Sequence, residues 1–465
     1  MSIPSEHRSR YVYHMTHLEN LESILQNELL STNEKTRLGI KHKNIANHGI
    51  QNRRAAMNVT CGPRGTVHDY VPFYFCPREP MLLRLLNSKN LDQQLIIYLA
   101  VKIDVVERED VVFTSASANT NISPTFYCSP EELTNLRWDL IDSYEWSLPS
   151  DDDRHAKMAE MLIHEKVEVS EIGFIVVWNE KYKKIVENLL TKANYQIKIE
   201  YEGYYLADRR KWHYFCPFFC KGKERQSLVT GPEMLTSQYQ EVVSIIKNQH
   251  QDTVPNPKFE NVSDAIDKIS EDFSVIPELD AIEELETANA QHWQSVGDHT
   301  KRVVEKLKQL EEYSTFSNSQ KKVLKLSAYL HDIGKGTSPK DNDGKQKTDK
   351  DHPVNAIPML GRILSEDIKS ISSRKIRQTV MLVIYHDFIG DVIGNDRDRE
   401  QILNVIKTIE DFDMLVAISK ADVSSLISGK RCKDLFSGVP QWLENINNQV
   451  PELRSWVESK LEEAE

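Results

Sequence analysis

Residues 65–82 read GTVHDYVPFYFCPREPML, and the placement of this stretch decides the fold of the first half of the chain. Gly65 opens a turn, His68, Asp69 and Tyr70 form a polar triplet, and VPFYF is a tight aromatic run. Such a run fits a strand, because aromatic and β-branched side chains pack well on a pleated surface. By itself it reads as core. Comparable runs lie on both sides of it. YVYHMT at 11–16 alternates like a strand, and LIIYLAVKI at 95–103, IGFIVVW at 172–178 and YQIKIEYEGYYL at 195–206 are rich in strand formers. Between the first two runs, HLENLESILQNELLS places Leu18, Leu21, Ile24, Leu25 and Leu29 at helical spacing. Residues 1–235 are therefore expected to form an α+β domain around a central mixed sheet.

The rest of the chain changes character twice. At 465 residues it is too long for one compact core. From 236 to 290 it is polar and proline-broken, then acidic, which reads as a linker followed by short helices. From 291 to 465 nearly every segment has helical period, as in TKRVVEKLKQLEEY and DMLVAISKADVSSLI, so this part is expected to be all-α. No repeat at solenoid periods is present. The composition, 40% apolar and 28% charged, is that of a soluble globular protein. No apolar run approaches the eighteen residues of a membrane span, and the first residues lack the apolar core of a secretory signal. The six cysteines, at 61, 76, 128, 216, 220 and 432, have neither disulfide nor zinc spacing. They read as reduced thiols of a cytoplasmic protein, with CPFFC at 216–220 two packed sulfurs.

A net charge of −12 argues against a protein coated by nucleic acid. Locally the balance reverses. From Lys35 to Arg64 there are seven Lys or Arg and no Asp or Glu, a pattern that fits a surface for a pyrophosphate or a nucleic acid backbone.

In the helical half, AYLHDIGKG places His331 and Asp332 at the end of an apolar helix. His299, His352, His386 and Asp422 stand in separate segments. A lone imidazole on an apolar face is usually a satisfied core group. Several together are harder to explain as packing, since each unpartnered buried polar group costs about 1–3 kcal/mol, and a shared divalent cation satisfies them jointly. His299, the His331-Asp332 pair and Asp422 resemble the H…HD…D pattern of the HD-domain metal-dependent phosphohydrolases over about residues 290–430. The resemblance implies that these four residues hold a divalent ion, that Lys335 contacts phosphate, and that His352 and His386 are extra ligands of a second ion.

The first half has neither GxGxxG nor GxxxxGK[ST], so it offers no dinucleotide fingerprint and no P-loop. Instead His14, Met15 and Thr16 end a strand at a helix entrance, where amides can hold a polar or anionic group. In KMAEMLIHEKV at 157–167, Glu160 stands among Met158, Ala159, Met161, Leu162 and Ile163. The stretch alone leaves it either a solvent-facing helix residue or a carboxylate fixed by apolar neighbours.

Taken together, YHMTHLENLESIL, NRRAAMNV, HDYVPFYFCPREPML and DDDRHAKMAEMLI resemble, in order, the DarT family of DNA ADP-ribosyltransferases over about residues 11–210. The resemblance implies a toxin that uses NAD to modify a base of single-stranded DNA, with a separately encoded macrodomain antitoxin. The wording is closer to the branch that modifies thymidine. Carried over, His14, Met15 and Thr16 line the nicotinamide end of NAD, Ser31 is a further contact, Arg54 is the essential arginine and also touches NAD, and Glu160 is the catalytic glutamate. Two other readings stay open: an HD phosphohydrolase whose first half only binds nucleic acid, and an inactive regulatory scaffold.

Overall fold

The structure, a computed structural model, describes residues 2–45, 48–118, 123–143, 145, 148–201, 211–212, 225–226, 230–250, 256–289, 291–427 and 438–464. The CPFFC segment lies outside these. The chain divides into two compact units, Met1–Gly231 and Pro232–Glu465.

The first unit is built on an eight-stranded sheet. Its strands are β1 (Tyr11–His17), β2 (Tyr70–Tyr74), β3 (Ile96–Lys102), β4 (Val111–Thr114), β5 (Phe126–Tyr127), β6 (Glu160–His164), β7 (Ile172–Val176) and β8 (Lys198–Glu200), in the order β8-β7-β3-β1-β2-β6-β4-β5. All neighbours are antiparallel except β7 and β8, so the sheet is mixed. VPFYF is thus an inner strand, between the one that carries His14 and the one that begins at Glu160. In β3, Ile96 to Val101 are all buried, as expected of a strand covered on both faces.

Proline is rare on inner strands because it has no N–H for the ladder. Pro72 is tolerated because β1 and β2 share a single register pair, Tyr13 with Tyr74. Beyond that pair the ladder stops and the His14 side chain fills in, its Nδ1 donating to the Pro72 carbonyl at 2.8 Å. On the other side β2 pairs with β6 along its whole length, from Tyr70 with His164 to Tyr74 with Glu160. The sheet is therefore closed at Glu160 and parted at His14. Helices α1 (Leu21–Asn27), α2 (Thr32–Arg37) and α3 (His48–Ala56) follow β1 in the chain.

The second unit is helical. It comprises α4 (Pro232–Gln249), α5 (Val262–Glu271), α6 (Pro277–Glu283), α7 (Val296–Gln309), α8 (Asn318–Leu330), α9 (His352–Arg362), α10 (Ser373–Ile384), α11 (Phe388–Gly394), α12 (Ile409–Ser425) and α13 (Val439–Glu462). Of the linker and short helices expected over 236–290, the short helices are present as α5 and α6, but they and α4 pack into the core rather than tether it. Leu235, Tyr239, Val242 and Ile246 of α4, Ala265 and Ile269 of α5, and Leu279 and Ile282 of α6 are all buried in the second core. Phe259–Asn261 pairs with Ile368–Ser370 in a two-stranded ribbon. The acidic and polar residues that dominate its composition occupy the outer faces of amphipathic helices. Among the described residues no helix is long and apolar enough to cross a membrane.

Candidate active site and metal centre

In the first unit, Glu160 is not a helix residue. The helix Asp151–Lys157 stops at Met158, and Glu160 begins β6 with its side chain fully buried. Its main-chain N–H donates to Thr114 Oγ1 at 3.0 Å. Arg54, on the last turn of α3, meets its carboxylate end-on, Nη1 to Oε1 and Nη2 to Oε2, both at 2.9 Å. The Ala118 N–H also donates to Oε1 at 2.9 Å, and Ser117 Oγ lies 3.4 Å from it. Burial alone would weaken the charge on Arg54, but the Glu160 carboxylate more than restores it and the guanidinium is held above its ordinary value. Tyr74 stands directly across the ladder from Glu160. Burial and then the Glu160 charge push its phenol upward, so it stays protonated.

His14 and Thr16 line a cleft with Asn20, His42 and Lys35. Burial, helped by the Lys35 and Arg54 charges, pushes His14 down to about 4 despite the Pro72 hydrogen bond, so the ring is neutral, with Nδ1 protonated and Nε2 an acceptor. Among the described residues Lys35 has neither an ion-pair nor a side-chain hydrogen-bond partner, and burial lowers it to about 8. Met15 does not line the cleft. Strand alternation turns it to the opposite face, into an apolar cluster with Leu82 and Tyr98. Ser31 is also placed elsewhere: its buried hydroxyl caps α2 by accepting from the Glu34 N–H at 3.2 Å. Of the aromatics available for stacking, Tyr70 and Phe73 are core, which leaves Tyr74. The acid-free basic segment divides: Lys35 and Arg54 turn inward, whereas Arg37, Lys41, Lys43 and Arg53 remain on the surface.

In the second unit the predicted ligands converge. His299 comes from α7, His331 caps the C-terminus of α8, His352 opens α9, His386 follows α10, and Asp422 lies on the last turn of α12. Each ring is steered by a hydrogen bond from Nδ1. His331 donates to the Ala328 carbonyl, His352 to that of Asp349 and His386 to that of Val383, each at 2.8 Å. His299 donates to Ser425 Oγ at 2.8 Å. With Nδ1 engaged in this way, the four Nε2 atoms are the nitrogens left to meet an ion, and they point at one another: His299 and His331 at 3.3 Å, His352 and His386 at 3.2 Å. Facing lone pairs repel unless a cation lies between them.

Asp332 sits between the two pairs. Its Oδ2 is 3.3 Å from His331 Nε2 and 3.6 Å from His299 Nε2, and it accepts from Lys335 Nζ at 2.7 Å. Its buried Oδ1 has no hydrogen bond, although His352 and His386 Nε2 stand 3.4 and 3.9 Å away. Two ligand groups are His299–His331–Asp422 and Asp332–His352–His386, and a third, His386–Asp387–Asp422, overlaps both, the donor atoms of each within 4.8 Å of one another. An orphaned buried carboxylate oxygen among imidazole nitrogens fits a divalent metal ion, and Asp332 faces both histidine pairs. Electrostatics agree. With no ion bound, burial opposes a charged His331, yet Asp332 and Asp422 outweigh it and lift the ring to about 9, so a proton on its Nε2 takes the place that a metal ion fills.

Asp387 was not singled out from the sequence. Its carboxylate lies 3.4 Å from His386 Nε2 and 3.8 Å from that of His352. The available signal was a second His-Asp dipeptide at 386–387. The Ala118 N–H left no side-chain signal at all.

A mixed-sheet domain with a buried Arg–Glu pair beside a histidine-lined cleft, and a helical domain around a His/Asp cluster, together define a two-domain enzyme. A family model described as "ssDNA thymidine ADP-ribosyltransferase, DarT" matches residues 13–206, and one described as "HD domain" matches residues 296–378. The DNA ADP-ribosyl transferase of Thermus sp. (strain 2.9) is 33% identical over 184 residues, covering 38% of this chain and 86% of that protein. Two solved structures are similar: Thermus sp. 2.9 DarT in complex with ADP-ribosylated ssDNA (30% identity, TM-score 0.39, 43% of this chain and 95% of that one) and the same protein in complex with NAD+ (28% identity, TM-score 0.37, 43% and 96%). The chain belongs to the DarT family of DNA ADP-ribosyltransferases and carries an HD domain in addition.

Proposed function

We propose that the first unit transfers ADP-ribose from NAD to a base of single-stranded DNA, thymidine being the favoured target, and that it acts in the cytoplasm as a toxin opposed by a separately encoded macrodomain antitoxin. The observation that carries this reading is the Arg54–Glu160 pair at the head of β6, next to the cleft of His14 and Thr16. In the reaction the bond from nicotinamide to ribose C1 breaks and releases neutral nicotinamide, while the base bonds to that carbon and gives up its proton to water, and positive charge builds on the ribose on the way. Glu160, fixed by Ala118 and the strand, is the group that stabilises this charge. Arg54 acts as an orienting cation: a guanidinium does not lose its proton in a protein, and Glu160 beside it strengthens its hold. His14 and Thr16 contribute side chains to the NAD site. Met15 contributes only main chain, and Ser31 only the cap of α2. Incubation with labelled NAD and matched single- and double-stranded oligonucleotides is expected to label the single strand. If wild type labels no oligonucleotide, the reading of a first half that only binds nucleic acid takes its place.

Lys35 is the candidate contact for the NAD pyrophosphate, being a cation in the cleft without a partner among the described residues. A charged hydrogen bond of about 1.5–3 kcal/mol corresponds to about a 10- to 100-fold rise in KM for NAD in Lys35→Met. Lys35 is charged below about 8 and loses its proton above, so KM for NAD in the wild type is expected to climb as the pH passes that value. A pH-independent KM in Lys35→Met ties the climb to this residue; the same climb in the variant would refute the assignment.

In the second unit the donor set supports a metal-dependent phosphohydrolase, with His299, His331, Asp332 and Asp422 holding one ion and His352, His386 and Asp332, joined by Asp387, holding another. Divalent ions held there supply Lewis acidity toward a phosphoryl oxygen and acidify water. Lys335, anchored on Asp332, is placed to neutralise phosphate charge.

A further inference from the structure

The centre opens into a pocket of about 680 Å3. This is the size that encloses a drug-sized molecule and far exceeds what inorganic phosphate requires. Lys335, His386, Asp387 and Asp422 line one part of it, and Trp442, Gln441, Asn445 and Asn395 another. Trp442 is fitted to its place by two glycines one turn apart on α11. A Cβ at Gly390 would come within 2.8 Å of the indole Cζ2, and one at Gly394 within 3.1 Å of Nε1. The indole therefore lies against bare helix backbone. Beside it, on the first turns of α13, Gln441 Nε2 donates to Asn445 Oδ1 at 3.1 Å. That bond leaves the Gln441 carbonyl and the Asn445 amino group without a partner among the described residues, an acceptor next to a donor. Beyond α11, Asn395 adds a third carboxamide, its Nδ2 donating to Asp391 Oδ1 at 2.9 Å and its carbonyl unused among the described residues.

A flat aromatic surface beside paired carboxamides is the chemistry that holds a nucleobase: stacking on the π-face and hydrogen bonds to the edge. We propose that this pocket binds a nucleoside 5′-phosphoryl group, its phosphorus toward Lys335 and the His/Asp cluster and its base on Trp442 between the carboxamides. The inference rests on reading the centre as a phosphohydrolase. The reaction consumes one water, whose oxygen bonds to phosphorus while the P–O bond to the leaving oxygen breaks and that oxygen takes up a proton. The same group has two sources: a free nucleotide, or the adenosine pyrophosphate of ADP-ribosylated DNA made by the other half of the chain.

Equilibrium binding of AMP to the full chain, with the divalent ion replaced by Ca2+ to suppress turnover, reads the base site directly. Trp442→Leu and Asn445→Ala are each expected to weaken binding at least about tenfold. With Mn2+, the ratio of kcat/KM for AMP to that for 4-nitrophenyl phosphate is expected to fall by a similar factor. Affinity and ratio unchanged in both variants would overturn the proposal, as would failure of AMP to bind. Asn445→Ala lies on the helix surface and keeps the test open if Trp442→Leu does not fold. Binding that depends on Trp442 without hydrolysis of either ester upholds the base site and sinks the phosphohydrolase reading instead. Release of AMP from an ADP-ribosylated oligonucleotide by wild type, absent in Asp332→Asn, identifies the conjugate as the source. Hydrolysis of free nucleotide alone identifies the other.

Discussion

Glu160→Gln is expected to lower kcat for ADP-ribose transfer by about 100- to 1,000-fold, the cost of removing one preorganised electrostatic contact to a charged transition state. The substitution keeps the volume and most of the hydrogen-bonding capacity of the side chain, so loss of rate reports loss of charge. It also carries a stability signature. Glu160 is fully buried and Arg54 nearly so. Removing one partner of a buried pair leaves the other uncompensated, which typically costs about 3–5 kcal/mol. For a unit of this size that is a fall of about 10 °C in its thermal transition. Arg54→Met should cost a similar amount. The double variant should be more stable than the sum of the two, because neither orphaned charge remains. A Glu160→Gln protein with undiminished transfer would end the catalytic assignment, and a strictly additive cycle would show that the pair is not coupled. The geometry adds a kinetic expectation. Both carboxylate oxygens are engaged by Arg54, so the guanidinium has to share Glu160 when NAD arrives.

Asp332→Ala is expected to empty the second unit of bound metal. Its two oxygens face different imidazole pairs, Oδ2 toward His299 and His331 and Oδ1 toward His352 and His386. Loss of this one carboxylate therefore strikes both ligand groups, whereas His386→Ala strikes one. Elemental analysis after dialysis should find two ions per chain in wild type, about one in His386→Ala and close to none in Asp332→Ala. The thermal transition of the second unit should rise with added metal in wild type, by mass action, and stay fixed in Asp332→Ala. Equal metal content in Asp332→Ala and His386→Ala would contradict a bridging role. NAD-dependent transfer measured on the same variants shows whether the second unit influences the first.

Much of the fold could be read along the chain, because its decisive signals are local. VPFYF has the composition of a strand, and the helices carrying the metal ligands have strong period. Four histidines and two aspartates spread over five segments pointed to a shared cation, and the structure brings them together. The less readable features depend on distant partners. Glu160 lies in an apolar run too short to separate strand from helix by period. Its environment comes from Arg54, 106 residues earlier, and from a main-chain N–H that no residue type announces. Met15 stands between His14 and Thr16 in the resemblance, but side chains on a strand alternate, and Ser31, the further contact it implies, precedes a helix that a serine tends to cap. The 236–290 stretch was hidden by its charges, which sit on the outer faces of helices that bury their other side.

The steering of the metal histidines bears on how the centre tolerates change. His331, His352 and His386 each give Nδ1–H to a carbonyl of their own main chain three residues earlier. That acceptor survives any substitution of the residue that bears it, so the tautomer of these three rings is insulated from sequence drift around them. His299 has no such insurance, since it depends on a hydroxyl, Ser425 Oγ. Ser425→Ala would free that ring to protonate on either nitrogen, and the first ligand group, not the second, is where the centre is fragile.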